Sequence, residues 1–383
     1  MYFCAEFRKR HFTMKTTYKS IKILALFLAT LFSLSAFALE NDEQHGHQED
    51  DGLVNTKEEI NEYIQHHLKD SYDFSLFSYV NDEGEKVHIG FPLPVILWDD
   101  GLKVFSSSKF HHGESVAEVD GNYYKVYHSK IYKTDAEGTI HYGEHHEGAG
   151  TAHPSNEKPL DFSFTKNVFV IFIVGLLLLW MFASMAKNYK KGEIPKGLGR
   201  FLEPIVIYVR DEIAIPNIGK KKYKKYMSYL LTVFFFVWII NLLGLTPIGV
   251  NVTNNIAVTF ALALITFVIT NATANKNYWM HIFWMPGVPW PMKIILAPIE
   301  LLGVFIKPFA LLIRLYANIT AGHIVLMSII GLMFIFHNWI GSSLSFVLAF
   351  VLSLLELLVA ALQAYIFTML SALYFGMAVE EHH

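Results

Sequence analysis

Cysteine is nearly missing from this 383-residue chain: Cys4 is the only one, which excludes an intramolecular disulfide framework and any metal site built on thiolates. Charge is scarce too. Asp, Glu, Lys and Arg make up 17% of residues against 53% hydrophobic ones, well below the roughly 25% charged of an ordinary soluble domain, so much of the chain belongs in a membrane. Between Tyr226 and Asn275 no Asp, Glu, Lys or Arg occurs at all. HExxH, a nucleophile motif and a glycine-rich phosphate loop are also missing, which leaves a membrane-anchored exported enzyme without support. The two longest apolar stretches share no spacing of charged residues, so the internal repeat common in secondary transporters is missing as well; a self-contained transporter or channel with an external sensing domain stands as the alternative reading.

What is present is unevenly placed. Net charge is only −3, yet residues 39–160 are acidic and His-rich while 187–225 concentrates Lys and Arg, as expected of segments on opposite sides of a membrane. From Met14 the chain has a basic start (Lys15, Lys19, Lys22), an apolar core and Ala36-Phe37-Ala38, the pattern of a secretory signal peptide. Residues 1–38 are read so, with an anchoring helix as the alternative and 1–13 as an over-extended start. Residues 39–160 then form an exported domain, mainly β or α+β. A polar, acidic stretch at 39–54 precedes one short amphipathic helix at Lys57–Lys69, and strand-like runs follow at 86–98, 102–110 and 122–134 between Asp-Glu-Gly and Asp-Asp-Gly turns. The histidines of this region (His45, His47, His111, His112, His141, His145, His146) lack metal-binding spacing and fit solvated surface positions better; no metal is expected.

Residues 161–383 carry the membrane spans. Asn167–Ala186 gives 20 uncharged residues, enough for one crossing. Two more fit between 226 and 275, turning near Gly249-Val250-Asn251, and two long apolar helices follow at about 294–336 and 344–379, joined by a polar segment at 337–343. The expectation is an all-α membrane domain of about five helices ending in a long, tilted hairpin. Basic residues 187–225 place that loop in the cytoplasm, which puts the exported domain outside and the C-terminus inside.

Within the first hairpin helix Lys293, Glu300, Lys307 and Arg314 recur seven apart and form one slowly drifting stripe. A permanently charged guanidinium inside a bilayer costs about 2.5–3.5 kcal/mol on insertion scales, so Arg314 should face protein, water or an anion rather than lipid. Ala310, Ala317, Asn318 and Ala321 share its face, and such small residues admit another helix closely. A partner's carboxylate suits this face; an acid of the chain itself is the alternative. Folding the hairpin about residue 340 sets His323, 17 residues before it, level with Glu356, 16 after it, and a His/Glu pair exchanges protons near neutral pH. Gln363 follows Glu356 by one heptad, deeper in the membrane. Glu300 is the candidate for an inner exit path and fits an interfacial snorkelling acid equally well.

At these residues the chain resembles the a subunit of the F-type ATP synthase. The matching run is Arg314-Leu315-Tyr316-Ala317-Asn318-Ile319-Thr320-Ala321-Gly322-His323, with Pro298, Glu300, Lys307 and Pro308 before it, Asn241-Leu242-Leu243-Gly244-Leu245-Thr246-Pro247, and Glu356 through Gln363-Ala364-Tyr365-Ile366-Phe367. His323 and Glu356 make it similar to mitochondrial-type sequences in particular. One departure is Leu312, where the family usually has a small residue. The resemblance implies a stator in a bacterial inner membrane, not itself an enzyme and without a cofactor or nucleic acid. Its partners would be lipid, a c-ring whose carboxylates carry protons, b subunits and a nucleotide-binding head. Protons would enter near Asn318, His323, Glu356 and Gln363, ride the ring past Arg314, which blocks a direct leak, and leave through an offset inner half-channel. Asn241, Lys307, Ala317 and Ala321 are the expected supporting residues.

Overall fold

A computed structural model describes residues 70–80, 86–113, 115–142, 154–190, 197–246, 250, 252–284, 289–335 and 339–380. The signal peptide, the 39–54 stretch and the helix expected at Lys57–Lys69 lie outside the described residues.

The first described unit is mainly β, with one 3₁₀ helix at Ser107–Gly113. A hairpin of β1 (Asp73–Val80) and β2 (Lys86–Pro92) stands beside two three-stranded sheets. One has the order β4 (Leu102–Ser106), β3 (Pro94–Trp98), β8 (Leu160–Asp161); the other β5 (Ala117–Val119), β6 (Asn122–Tyr127), β7 (Lys130–Thr134), all antiparallel. The strand-like runs expected at 86–98, 102–110 and 122–134 thus form strands over most of their length. Tight turns set the registers: Asp120 and Gly121 join β5 to β6 with φ of 52° and 76°, the paired positive values a type I′ hairpin requires. Alternation along β3 and β4 buries Val95, Leu97 and Phe105 with Phe110, Tyr124 and Ile131.

A polar network lies within this core. The Tyr124 hydroxyl donates to Asp99 Oδ2 at 2.6 Å, Lys103 Nζ donates to the same hydroxyl at 3.0 Å, and Lys133 Nζ is 3.0 Å from Asp99 Oδ2. The hydrogen bond from Tyr124, ahead of the Lys133 contacts, holds the Asp99 carboxyl below the usual range, while burial and then Asp99 push the Tyr124 hydroxyl up to about 12.

The β unit is fixed to the first membrane helix, α1 (Lys166–Lys190). Asp70 Oδ1 accepts the Asn167 amide at 3.2 Å and Ser71 O accepts that of Lys166 at 2.9 Å, which satisfies amides at the helix start that have no partner within the helix. Phe74 and Phe91 stack at 4.9 Å and both set an edge against Phe169, at 5.5 and 5.3 Å.

Among the described residues four helices are long and apolar enough to cross a membrane: α1, α3 (Tyr223–Gly244), α6 (Trp290–Ile335) and α7 (Trp339–Val379). A fifth candidate is the pair α4 (Ile256–Ala272) and α5 (Lys276–Phe283), bent by 100°. The expected C-terminal hairpin is seen, and the expected five spans are reached only if the bent pair counts as one. At 46 and 41 residues, α6 and α7 far exceed the roughly 20 that suffice for a perpendicular crossing. In α1 only a narrow stripe with Val170, Val174 and Leu178 is buried, whereas α3 buries residues on most of its circumference and is the central helix.

The basic segment 187–225 is more than a loop. Its α2 (Leu198–Tyr208) continues through a π-helical turn (Val209–Ala214) into Ile215–Ile218, and these last two pieces pack on α7. Asn217 donates to Met369 Sδ at 3.4 Å, and a Cβ on Gly376 would fall 2.0 Å from Asn217 O, so only glycine permits this approach. At the same end Lys222 Nζ and Asn275 Nδ2 donate to Val379 O at 2.8 and 3.1 Å, which satisfies the C-terminal carbonyls of α7 and gathers three helix ends beside the basic cluster. The 3₁₀ turn Val252–Asn254 joins α3 to α4 at the opposite end and touches α1, on the side of the β unit.

Candidate functional site

The helical hairpin sorts its polar residues onto different surfaces. Arg314, Ala317, Asn318 and Ala321 share one exposed face of α6, with Ala310 half-buried beside them. Among the described residues no hydrogen bond or ion pair holds the Arg314 guanidinium, so the alternative of an internal acid partner finds no support there. Leu312, two residues before it and hence on the far side of the helix, is 6% exposed and belongs to the core. The departure from the family pattern at this position therefore does not obstruct the Arg314 face.

His323 and Glu356 face inward. His323 Nδ1 stands 3.4 Å from Glu356 Oε1, with both side chains under 10% exposed, as the hairpin register predicted. The contact has ion-pair distance without hydrogen-bond geometry, and neither Glu356 oxygen has a hydrogen-bond partner among the described residues. Gly322 makes room for this carboxylate: a Cβ there would come within 3.3 Å of Glu356 Oε1. Gln363 is buried two helical turns further along α7.

Toward the β-unit end the 3₁₀ turn adds polar groups that sequence reasoning did not assemble. The Thr320 hydroxyl donates to Asn254 Oδ1, and the Thr253 hydroxyl donates to Asn241 Oδ1 at 3.0 Å. Thr320 sits one turn before His323 on the same side of α6, and that spacing was available as a signal. Asn254 is 66 positions from Thr320 in sequence, and only folding brings it there.

Toward the basic end, a narrow cleft lies between α4, α5, α6 and α7. Lys307, Tyr278, Tyr374 and Asn271 supply its polar lining, and Lys307 Nζ stands 5.8 Å from the centre of the Tyr374 ring. Glu300 lies within electrostatic reach of Lys307 and Tyr278. Glu300 and Lys307 are thus brought together, separate from the His323–Glu356 pair, and Lys293 caps the stripe over the Trp284 ring at 4.5 Å. Among the described residues no group of three His, Cys, Asp or Glu could hold a metal; His45, His47, His145 and His146 lie outside them.

A cation on an open face of a long apolar hairpin, with a buried His/Glu pair on the opposite side, defines a multi-pass membrane protein with charged and titratable groups inside its apolar layer. Residues 168–376, more than half of the chain, match the family model described as ATP synthase A chain. The chain belongs to that family. It is 44% identical over 230 residues to ATP synthase subunit a of Chloroherpeton thalassium, covering 58% of this chain and 69% of that protein. The subunit a of Myxococcus xanthus is 44% identical over 231 residues, with 58% and 75% covered. That of Anaeromyxobacter sp. is 35% identical over 347 residues, covering 88% of this chain and 73% of its own, a match that takes in much of the region before residue 161. Residues 63–162 match a second family, a domain of unknown function (DUF8433).

Proposed function

We propose that this chain works as the proton-translocating stator subunit of an F-type ATP synthase, with Arg314 opposite the ion-carrying carboxylates of a rotor ring. It is not an enzyme by itself; it couples ion flow to the ATP chemistry of the complex. The observation that carries the assignment is the open face of Arg314, Ala317, Asn318 and Ala321 in a helix otherwise apolar enough to span a bilayer. A guanidinium in a low-dielectric layer attracts an anion strongly, and the small neighbours let a carboxylate-bearing helix approach.

The sequence of events follows from that placement. A proton entering past Asn254, Thr320 and Asn318 is handed between His323 and Glu356 and, with Gln363, delivered to a ring carboxylate, which becomes neutral and moves into lipid. After rotation the carboxylate meets the other half-channel, for which Glu300 and the Lys307 pocket are the candidates, and loses its proton. Arg314 stabilises the ionised carboxylate between the two paths and repels a proton crossing directly. Each charge carried gains about 2.3 kcal/mol per 100 mV, which a leak would dissipate.

In this reading a signal peptide at 1–38 is removed, 39–160 faces the periplasm of a bacterial inner membrane, and 161–383 forms the stator with its C-terminus in the cytoplasm. The ring, the b subunits and the nucleotide-binding head are the partners. A cysteine at Ala321 should form a disulfide with a cysteine one turn from the ring carboxylate in the assembled complex. Failure there, with success from the lipid-facing Phe172, would overturn the assignment of this face.

A further inference from the structure

The β4–β3–β8 sheet is apolar on its outward face as well as over most of its buried one. Trp98 pairs across with Leu102 on one side and Leu160 on the other, and Ile96 with Val104. The alternation that buries Val95, Leu97 and Phe105 turns the outward row to the surface: Trp98, Leu102, Val104, Leu160 and Phe162 are 56–63% exposed. Charged neighbours point the other way, since Asp99 and Lys103 bond Tyr124, and Asp161 accepts the Tyr72 hydroxyl at 2.5 Å. An antiparallel sheet with one buried face ordinarily presents polar residues on the other, and a contiguous apolar face of this kind marks a surface that is covered.

The chain itself indicates what covers it. The exposed row runs on through Phe164, Val168 and Phe172 into the surface of α1 outside its buried stripe. Leu160 is six residues before Lys166, so even fully extended chain keeps it within about 20 Å of the start of the span. A protein interface of this size would bring roughly one hydrogen bond per 100–200 Å², yet the outward side chains of these strands offer only the Ser106 hydroxyl and the Trp98 indole N–H, and the backbone of the central strand β3 is paired on both sides. Lipid requires no such partners, and Trp and other aromatic side chains favour the zone between headgroups and acyl chains.

We propose that the outward face of this sheet rests in the interfacial zone of the bilayer at the outer end of α1, so that the β unit is held to the membrane by a lipid-embedded sheet as well as by the span. This depends only on α1 crossing the membrane, and holds whichever residues move protons.

The test uses the complete complex reconstituted in lipid vesicles, with Cys4→Ser as background and a nitroxide placed on Leu102→Cys or Phe162→Cys. Phe172→Cys serves as the lipid reference and Glu118→Cys, on β5, as the water reference. The expected ratio of oxygen to nickel-chelate accessibility at both sites is several-fold above that of Glu118→Cys and approaches that of Phe172→Cys. A ratio equal to that of Glu118→Cys would place the face in water, and exclusion of both reagents would place it under protein; either result overturns the proposal. Trp98 provides a second measurement: brominated lipid should quench its fluorescence, obtained as the difference between the parent and Trp98→Phe, and an unquenched difference likewise overturns it.

Discussion

His323 Nδ1 lies 3.4 Å from Glu356 Oε1 across two helices, and the pair is buried while Arg314, nine residues earlier on the same helix, is open to the outside. One helix thus turns a titratable imidazole inward and a fixed cation outward; in the proposed function these are two roles that must not share a surface if protons are to travel by way of a moving partner.

If these two side chains pass the same proton, losing either breaks one chain. Glu356→Gln and His323→Ala are each expected to lower proton-driven ATP synthesis by about 10²-fold, the low end of what a positioned proton-transfer group contributes. The double variant should be no slower than the slower single one, because members of one unit are not additive. Rates in reconstituted vesicles check this; full additivity would separate the two residues.

Gly322→Ala tests the placement of the carboxylate. The new methyl would press on Glu356 from 3.3 Å, so the side chain must shift by a few tenths of an ångström. Proton flux is expected to fall several-fold, less than in Glu356→Gln, with unchanged yield of assembled complex. Unchanged flux would mean that the carboxylate position is not critical.

At the other end of α7, Gly376→Ala has no room at all, with Asn217 O 2.0 Å from the added Cβ. Forcing these segments apart should cost about 1–3 kcal/mol, as overpacking generally does. The thermal midpoint of the purified complex should fall; an unchanged midpoint would contradict the close packing of 209–218 on α7.

The β unit carries its own pH dependence. Asp99 is held below its ordinary range in the folded state, chiefly by the Tyr124 hydroxyl, so its contribution is complete above the unfolded value of about 3.9 and is lost as pH falls through the lower folded value. Tyr124→Phe should lower the stability of the unit at neutral pH by about 1.5–3 kcal/mol, as expected for a hydrogen bond to a charged group, and flatten this acid-side slope. Hydrogen exchange of the β3 and β6 amides between pH 3 and 7 reads both effects, and an unaltered slope would contradict the role of Tyr124.

The legibility of these features in the sequence follows their physical range. Spans show as apolar length, and the level of His323 with Glu356 follows from counting helical rise from one turn. β6 and β7 show in their alternation. By contrast, the helix at 198–218 is masked by the surrounding lysines and by Pro204, although Leu202, Val209 and Ile213 are buried against the bundle. The 100° bend after Ala272 has no proline or glycine to announce it. The Asn254–Thr320 and Asn241–Thr253 contacts join elements distant in sequence. In KVHIGFPLPVILW the nearly continuous apolar run hides which residues turn outward, so the exposed row of Trp98 becomes visible only with the sheet in place.

Arg314→Ala gives the most direct test of the central claim. In vesicles bearing the complete complex and energised by an imposed proton gradient, ATP synthesis is expected to vanish while subunit composition and ATP hydrolysis by the head persist. Synthesis at the parent rate in that variant would contradict the account.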